Sequence, residues 1–243
     1  MPNLMVVGAH HDDCEWKAGG LSLILKQIGW QLKFLVVTNT AVGHSLEKVA
    51  EESSVQKEKG LKSAGILGVE KCFLDFPSLD DSVRESEVTA RLAEEFAEYE
   101  PDMLVCDWPR SSHPDHRLAG VAALNAWRRP MLASKPRRKE IAEILCYCAY
   151  TYGKVEPNFL INITEHWNQV CQALKSFPEF ENPRGNNLIL SKDTYYIEGN
   201  LYWEHIEKFV LIKGHPERIT VLADLLHGRF RWLQHDLPEE LVF

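Results

Sequence analysis

Short apolar runs alternate with longer amphipathic stretches from the first residue to about position 150. A run of this kind predicts a strand that is buried on both faces, and the stretch after it predicts a helix that covers the sheet. The first pair is the run 4–8, followed by Leu21, Ile24, Leu25 and Ile28 at the spacing of one helix face. The pattern therefore predicts an α/β fold, with a mainly parallel, Rossmann-like sheet flanked by helices.

Further units of the same kind follow along the chain. Their predicted strands are 33–38, 71–74, 103–106 and 143–150, and their predicted helices are 45–65, the segment that carries Val88, Leu92 and Phe96, and 116–127. After position 150 the pattern predicts an extended piece over 158–163, a helix that ends near Ser176, a loop over 177–193, and two helix-like segments, 201–211 and 216–226. Because no linker divides the chain, we expect one domain over 1–243, with a core of about 3–180 and a C-terminal elaboration over 181–243.

The composition narrows the class of protein. Thirty-five acidic against 27 basic side chains give a net charge of −8, the wrong sign for a protein that neutralises nucleic-acid phosphates. No apolar run approaches the ~18 residues of a membrane span. The six cysteines are scattered, which is typical of reduced thiols, and no targeting segment is visible, so we expect a cytoplasmic protein.

Ionisable residues cluster where two of the predicted strands end. The first cluster lies within residues 10–15 and the second within residues 107–116. Because the carboxyl ends of parallel strands line one crevice, we expect the two clusters to meet. His10, Asp13 and His116 would then supply two imidazoles and a carboxylate, a three-ligand site with the open position that a catalytic zinc needs.

Other interpretations of the clusters remain open. Taken singly, a His or Asp after a strand is usually a loop residue or a helix cap, and Asp13 or Asp115 could simply cap its helix. The same two imidazoles and carboxylate also suit a non-haem Fe(II) enzyme. A dinucleotide site is disfavoured, because the turn after the first strand lacks the G-x-G-x-x-G fingerprint, and a P-loop is absent too.

Both clusters resemble signatures of the LmbE-like (PIG-L) zinc N-deacetylase family. Residues 9–15, Ala-His-His-Asp-Asp-Cys-Glu, with Gly19 and Gly20 after them, are similar to the family's A-H-P-D-D-x-E…G-G signature. Residues 113–116, His-Pro-Asp-His, match its second signature. The similarity covers about residues 3–180.

The resemblance implies a reaction and a metal. It implies a hydrolase of linear amides that removes an N-acyl group, typically N-acetyl, from a GlcNAc-type sugar or a related small molecule. It also implies Zn²⁺ bound by His10, Asp13 and His116. Members of this family commonly assemble, so a homo-oligomer is expected as well.

Roles for three further residues follow from the same resemblance. Asp12 would be the base that deprotonates the metal-bound water. His113 would face the carbonyl oxygen or the leaving nitrogen of the substrate, and Asp115 would fix its orientation. A carboxylate partner of this kind is expected to raise the pKa of His113 and keep it protonated.

Departures from the family pattern keep a catalytically silent, metabolite-binding relative open as an alternative. His11 stands where the family usually has proline, and no arginine lies near Gln56 and Lys57, where many members carry one that contacts the substrate. Trp108 precedes the second signature and is a candidate for stacking on a sugar.

Overall fold

Ten strands and five α-helices occur in the part of the chain that the computed structural model describes, which is residues 1–39, 46–78, 83–147, 157–177, 195–197, 200–203, 205–213 and 230–232. The strands are β1 (Asn3–Gly8), β2 (Gln31–Thr38), β3 (Glu70–Phe76), β4 (Met103–Asp107), β5 (Glu143–Tyr147), β6 (Phe159–Asn162), β7 (Tyr195–Ile197), β8 (Asn200–Trp203), β9 (Ile206–Lys213) and β10 (Phe230–Trp232). The α-helices are α1 (Asp13–Gln27), α2 (Leu46–Leu67), α3 (Glu85–Tyr99), α4 (Pro114–Arg128) and α5 (Trp167–Leu174).

Eight of these strands form one sheet in the order β10-β6-β9-β5-β4-β1-β2-β3. The five strands from β3 to β5 in that order are parallel, whereas β9, β6 and β10 join by antiparallel pairing. The chain leaves β1 for β2 on one side and later returns to β4 on the other. This reversal is the switch point at which open α/β sheets bind ligands, and the predicted Rossmann-like fold class is confirmed.

Both faces of the sheet are covered, which explains the continuous apolar runs. In β1, Leu4 and Val6 belong to the core beneath α1 and α5, whereas Met5 and Val7 belong to the core beneath α3 and α4. All four side chains are fully buried. A strand in this position has no solvent-facing side on which polar residues would alternate with apolar ones.

The predicted helix over 201–211 is wrong, because these residues contribute to β8 and β9. Strand β9 lies between β5 and β6, so it is an interior strand of the main sheet. Its Phe209 and Val210 are almost completely buried. The predicted loop 177–193 lies outside the described residues from position 178 onward, and so does the predicted helix 216–226.

Strand β9 is also tied to α1. The helix is interrupted at Ala18, whose backbone angles are φ −137° and ψ 21°. The carboxylate of Glu207 accepts the backbone N–H groups of Gly20 at 2.8 Å and Leu21 at 2.9 Å. These donors lie just after the interruption, so Glu207 acts as a cap for the second part of α1 and complements its dipole.

Two sequence predictions concern membranes and thiols. Within the described ranges, no helix is long and apolar enough to cross a bilayer. The five cysteines that the structure describes are free thiols. Their state agrees with the reduced cysteines expected from the sequence.

Candidate metal centre

The two polar clusters meet at the carboxyl ends of β1 and β4, which are neighbouring parallel strands. His10 follows the end of β1, and α1 begins three residues later at Asp13. On the other strand, Asp107 is the last residue of β4, and His116 lies in the first turn of α4. The clusters therefore share the crevice at the switch point, as the sequence predicts.

Three imidazole rings form a triangle in this crevice. The ring centroids of His10, His113 and His116 are 4.9 Å apart in each of the three pairs. One ring nitrogen of each lies within 4.8 Å of those of the other two. Two ligands on a tetrahedral zinc, each at about 2.1 Å, are about 3.4 Å apart, so small side-chain rotations would bring these nitrogens to binding distance.

Asp13 lies between His10 and His116 and is only 3% exposed. Its Oδ2 atom is 3.5 Å from Nδ1 of His10, and its Oδ1 atom is 3.7 Å from Nε2 of His116. Oδ2 also accepts the backbone N–H of His10 at 2.6 Å, which fixes the carboxylate. Each separation, measured from a different oxygen of the carboxylate, is close to the ligand spacing of about 3.4 Å on a tetrahedral zinc.

The backbone before α1 allows this close approach. A Cβ atom on Gly8 would lie 2.7 Å from Cβ of Asp13 and 3.0 Å from Sγ of Cys14, so only glycine leaves room for α1 to begin here. Asp12 occupies the N-cap position of α1, but its side chain makes no capping hydrogen bond. The usual structural role of an aspartate at this position therefore does not account for Asp12.

His116 is oriented by Asp107, to which the sequence analysis gave no role. Nδ1 of His116 donates to Oδ1 of Asp107 at 2.9 Å, and both residues are buried. An acceptor at Nδ1 keeps the ring proton there and leaves the lone pair on Nε2, the nitrogen near Asp13. The signal in the sequence was the position of Asp107 as a polar residue at the end of an apolar strand.

Lys17 lies one helical turn after Asp13 and is completely buried. Its ammonium nitrogen is 2.5 Å from Oδ1 of Asp107 and 3.2 Å from Oδ1 of Asp13. Burial lowers the pKa of Lys17, but the two carboxylates together hold that pKa above its ordinary value. Burial likewise raises the pKa of Asp13, but Lys17, His116 and His10 hold it below its ordinary value. The lysine and Asp13 are therefore both charged in the metal-free protein.

Asp115 contacts His10, whereas the family resemblance implies that it orients His113. Its Oδ2 atom is 3.0 Å from Nε2 of His10 and accepts the hydroxyl of Ser78 at 2.5 Å. Among the described residues, Nδ1 of His113 has no hydrogen-bond partner. Burial and the neighbouring His10 and His116 lower the pKa of His113, against the opposing charge of Asp115. The expected rise of this pKa is therefore wrong, and His113 is neutral at pH 7 in the metal-free protein.

His11, which replaces the family's proline, is 2% exposed and stacks on Phe73 with ring centroids 5.0 Å apart. Burial, helped by the charge of Lys71, lowers the pKa of His11 to about 3. Lys71 also donates to the backbone carbonyl of His11 and to both carboxylate oxygens of Glu15, at 2.7 and 2.8 Å. This buried lysine on β3 thus fixes the segment that carries the first signature.

Two residues considered for substrate contact have other surroundings. Trp108 is 2% exposed and packs in the core beneath α3 and α4, so the suggestion that it stacks on a sugar is wrong. Lys57 stands where the family often has an arginine, and its ammonium lies 2.6 Å from Oδ2 of Asp75.

The donor set suits a metal ion of the zinc type, because imidazole nitrogen and carboxylate oxygen are its usual ligands together with thiolate. The same imidazole and carboxylate ligands also suit Fe(II). A second group, formed by Asp13, Asp107 and His116, also has ligand atoms within 4.8 Å of one another. The ammonium of Lys17 already contacts both carboxylates of that group. The candidate position for the ion is therefore on the side of Asp13 that faces His10.

Solved structures with the same fold include proteins of different activity. N,N'-diacetylchitobiose deacetylase from Pyrococcus horikoshii superposes with a TM-score of 0.71 at 20% identity, over 86% of this chain and 83% of that chain. The 4-carboxy-2-hydroxymuconate hydratase GalB from Pseudomonas putida gives a TM-score of 0.71 at 16% identity, over 88% and 98%. The conserved protein TT1542 from Thermus thermophilus gives 0.69 at 23% identity, over 86% and 94%. These similarities establish the fold but not the reaction.

Sequence comparison supplies the family. No curated protein sequence matches the chain. Residues 5–127, which span both signatures and all the residues of the candidate metal centre, match the PIG-L family, described as GlcNAc-PI de-N-acetylase. Because this match covers just over half of the sequence, the chain belongs to the PIG-L family.

Proposed function

We propose that this protein is a zinc-dependent hydrolase that removes an N-acyl group, in the first instance N-acetyl, from a GlcNAc-type sugar or a related small amide. The observation that carries the proposal is the position of Asp13 between His10 and His116, with His113 beside them in the same crevice. Membership of a de-N-acetylase family and the similarity to a diacetylchitobiose deacetylase support the same reaction class.

His10, Asp13 and His116 would hold the metal. Asp13 is a better third ligand than His113, because it is buried and its two oxygens already lie 3.5 and 3.7 Å from the imidazole nitrogens. Three protein ligands leave one tetrahedral position open, which four would close. Held by these three residues, zinc would supply a Lewis acid that polarises the amide carbonyl and would lower the pKa of water.

Asp12 is the proposed general base. It adjoins the ligand Asp13, and its carboxylate is not used to cap α1. In this role it takes the proton from the attacking water and then holds a proton that the leaving amine requires. An amide nitrogen is a poor leaving group until it is protonated, so this transfer completes the hydrolysis.

His113 is the proposed donor to the carbonyl oxygen. A neutral imidazole carries one N–H, and a hydrogen bond to this oxygen strengthens as negative charge develops on it. Asp115 is proposed to act through His10, as a positioning residue. Its contacts with Nε2 of His10 and the hydroxyl of Ser78 hold the first ligand in place.

The substrate is expected to differ from that of arginine-bearing relatives. Lys57 lies near the position of the family's arginine, but its ammonium forms an ion pair with Asp75, and lysine lacks the bidentate fork of arginine. We propose a small, soluble N-acetylated molecule in the cytoplasm as the substrate, and a homo-oligomer as the assembly. The free thiols of the described cysteines agree with the reducing compartment.

Release of primary amine tests the proposal. Metal-free protein, zinc-loaded protein and the His10→Ala variant are incubated with N-acetylglucosamine conjugates, diacetylchitobiose and an N-acetylated thiol conjugate. We expect amine from at least one compound, and only with the zinc-loaded wild type. Zinc-loaded protein that releases no amine from any of them would indicate a catalytically silent relative. Iron found by elemental analysis of protein purified without added metal would instead support the Fe(II) alternative.

A further inference from the structure

Lys17 is a buried cation beside two of the proposed metal ligands, Asp13 and His116. Its ammonium contacts Oδ1 of Asp13 at 3.2 Å and Oδ1 of Asp107 at 2.5 Å, and it is 3.5 Å from Nδ1 of His116. The side chain is completely buried, so water does not screen its charge. One ammonium is thus in contact with two proposed ligands, Asp13 and His116, and with the residue that orients the second of them.

The carboxylates need this charge when no metal is present. Two ionised carboxylates without a cation would be costly in a buried site. Oδ1 of Asp107 binds both Lys17 and His116, while its Oδ2 atom is buried and has no hydrogen-bond partner among the described residues. Lys17 is therefore the main charge partner of Asp107 and one of the partners of Asp13.

We propose that Lys17 is a positioning residue that keeps the site assembled before the metal binds, and that its charge lowers the affinity of the site for divalent metal. The inference rests on the proposed function in one respect, namely that Asp13 and His116 bind the ion. With a divalent ion bound by Asp13, that ion and the ammonium of Lys17 would share one carboxylate and would repel each other. The charge of Lys17 thus preserves the geometry of the metal-free site and lowers the affinity of that site for zinc.

The test compares zinc affinities of purified proteins by competition with a chromogenic chelator. Lys17→Met removes the charge and keeps most of the volume. We expect it to bind zinc at least about tenfold more tightly than wild type, since the repulsion between the cations is lost. The metal-free variant should also melt at a lower temperature than metal-free wild type, and added zinc should raise its melting temperature by more than it raises that of wild type.

A second pair of variants measures the same effect if Lys17→Met folds only with metal. Asp107→Asn removes one negative charge and should weaken zinc binding. Adding Lys17→Met to it restores the net charge of wild type and should tighten binding again. Cobalt spectra of these proteins should stay alike, because none of the proposed ligands changes.

The matched control is Lys33→Met. Lys33 is another buried lysine in an ion pair, 3.0 Å from Glu95, near the amino end of β2 and away from the crevice. The Lys33→Met substitution should leave the zinc affinity unchanged, and it should lower the melting temperature by the same amount with and without metal. If Lys17→Met binds zinc no more tightly than wild type in either background, the role of Lys17 is wrong. If wild type itself binds no zinc, the proposed function fails as well.

Discussion

Nδ1 of His116 donates to Oδ1 of Asp107 at 2.9 Å, and this hydrogen bond turns the other ring nitrogen, Nε2, toward Asp13. Asp107, which is not a proposed ligand, therefore orients a proposed ligand. Asp107→Ala removes this acceptor and leaves His116 free to rotate. We expect zinc affinity to fall by about 10–100-fold, as for other partners of metal-bound histidines. Chelator competition measures it. Asp102→Ala, just before the amino end of β4 and away from the crevice, is the control, and an equal loss in both variants would show a general effect of folding.

Asp12→Asn separates catalysis from metal binding. Because Asp12 is the proposed base and not a ligand, the variant should keep one zinc per chain while its kcat falls by about 10²–10⁴-fold. Metal analysis and amine release on the same preparation give both quantities. Full activity in a zinc-replete variant would remove Asp12 from the mechanism.

His113 and His10 should respond differently to the same substitution. His113→Ala is expected to retain zinc and lose most of its rate, because it removes a donor to the developing oxyanion, typically a loss of about 10²–10³-fold. His10→Ala should lose zinc and activity together. If His113→Ala loses its zinc in stoichiometric amounts, His113 is a ligand and takes the place that we assign to Asp13.

His11 should make the metal-free fold sensitive to acid. Its pKa is about 3 in the folded protein, below the ordinary value, so its contribution to stability is complete above about pH 6.5 and is lost as the pH falls toward 3. The slope is at most about 1.4 kcal/mol per pH unit. Urea unfolding at pH 7.5 and 4.5 in chelator measures it. His11→Phe, which keeps a ring against Phe73, should show a shallower slope, and an identical pH dependence in both proteins would contradict the assignment.

Glu207 should stabilise α1 from a distant strand. Glu207→Ala leaves the N–H groups of Gly20 and Leu21 without their acceptor, at a cost of about 1–3 kcal/mol for each donor that stays buried and unpaired. Urea unfolding gives the change in free energy. Glu207→Gln keeps an acceptor oxygen and should lose less, so equal losses in the two variants would argue that packing, not hydrogen bonding, explains the effect.

The sequence predicts β1 to β5 well because each of these strands is a continuous apolar run, such as Leu4 to Val7. A run of this kind indicates burial on both faces without any information from distant residues. Strand β9 was not predicted from the sequence, because the strands with which it pairs, β5 and β6, lie far from it in the chain. Only its pairing makes it a strand. A short apolar segment without those neighbours is equally compatible with a helix.

The same distinction holds within the candidate metal centre. His10, Asp12 and Asp13 stand together in the chain, so their type and spacing could be interpreted directly. The contact of Lys17 with Asp107 joins residues 90 positions apart, and the contact of Ser78 with Asp115 joins residues 37 apart. Motif spacing carries no information about such partners. The sequence therefore suggests candidate ligands but not the residues that contact and orient them.

Titration of metal-free protein with zinc, with acetate release from an N-acetylglucosamine conjugate measured at each step, tests the proposed metal-dependent deacetylation most directly. The account predicts that the rate rises in proportion to added zinc, reaches a plateau at one equivalent per chain, and yields acetate and primary amine in equal amounts. Acetate release that is independent of zinc, or a protein that binds one zinc and releases no acetate from any of the N-acetylated compounds, would contradict it.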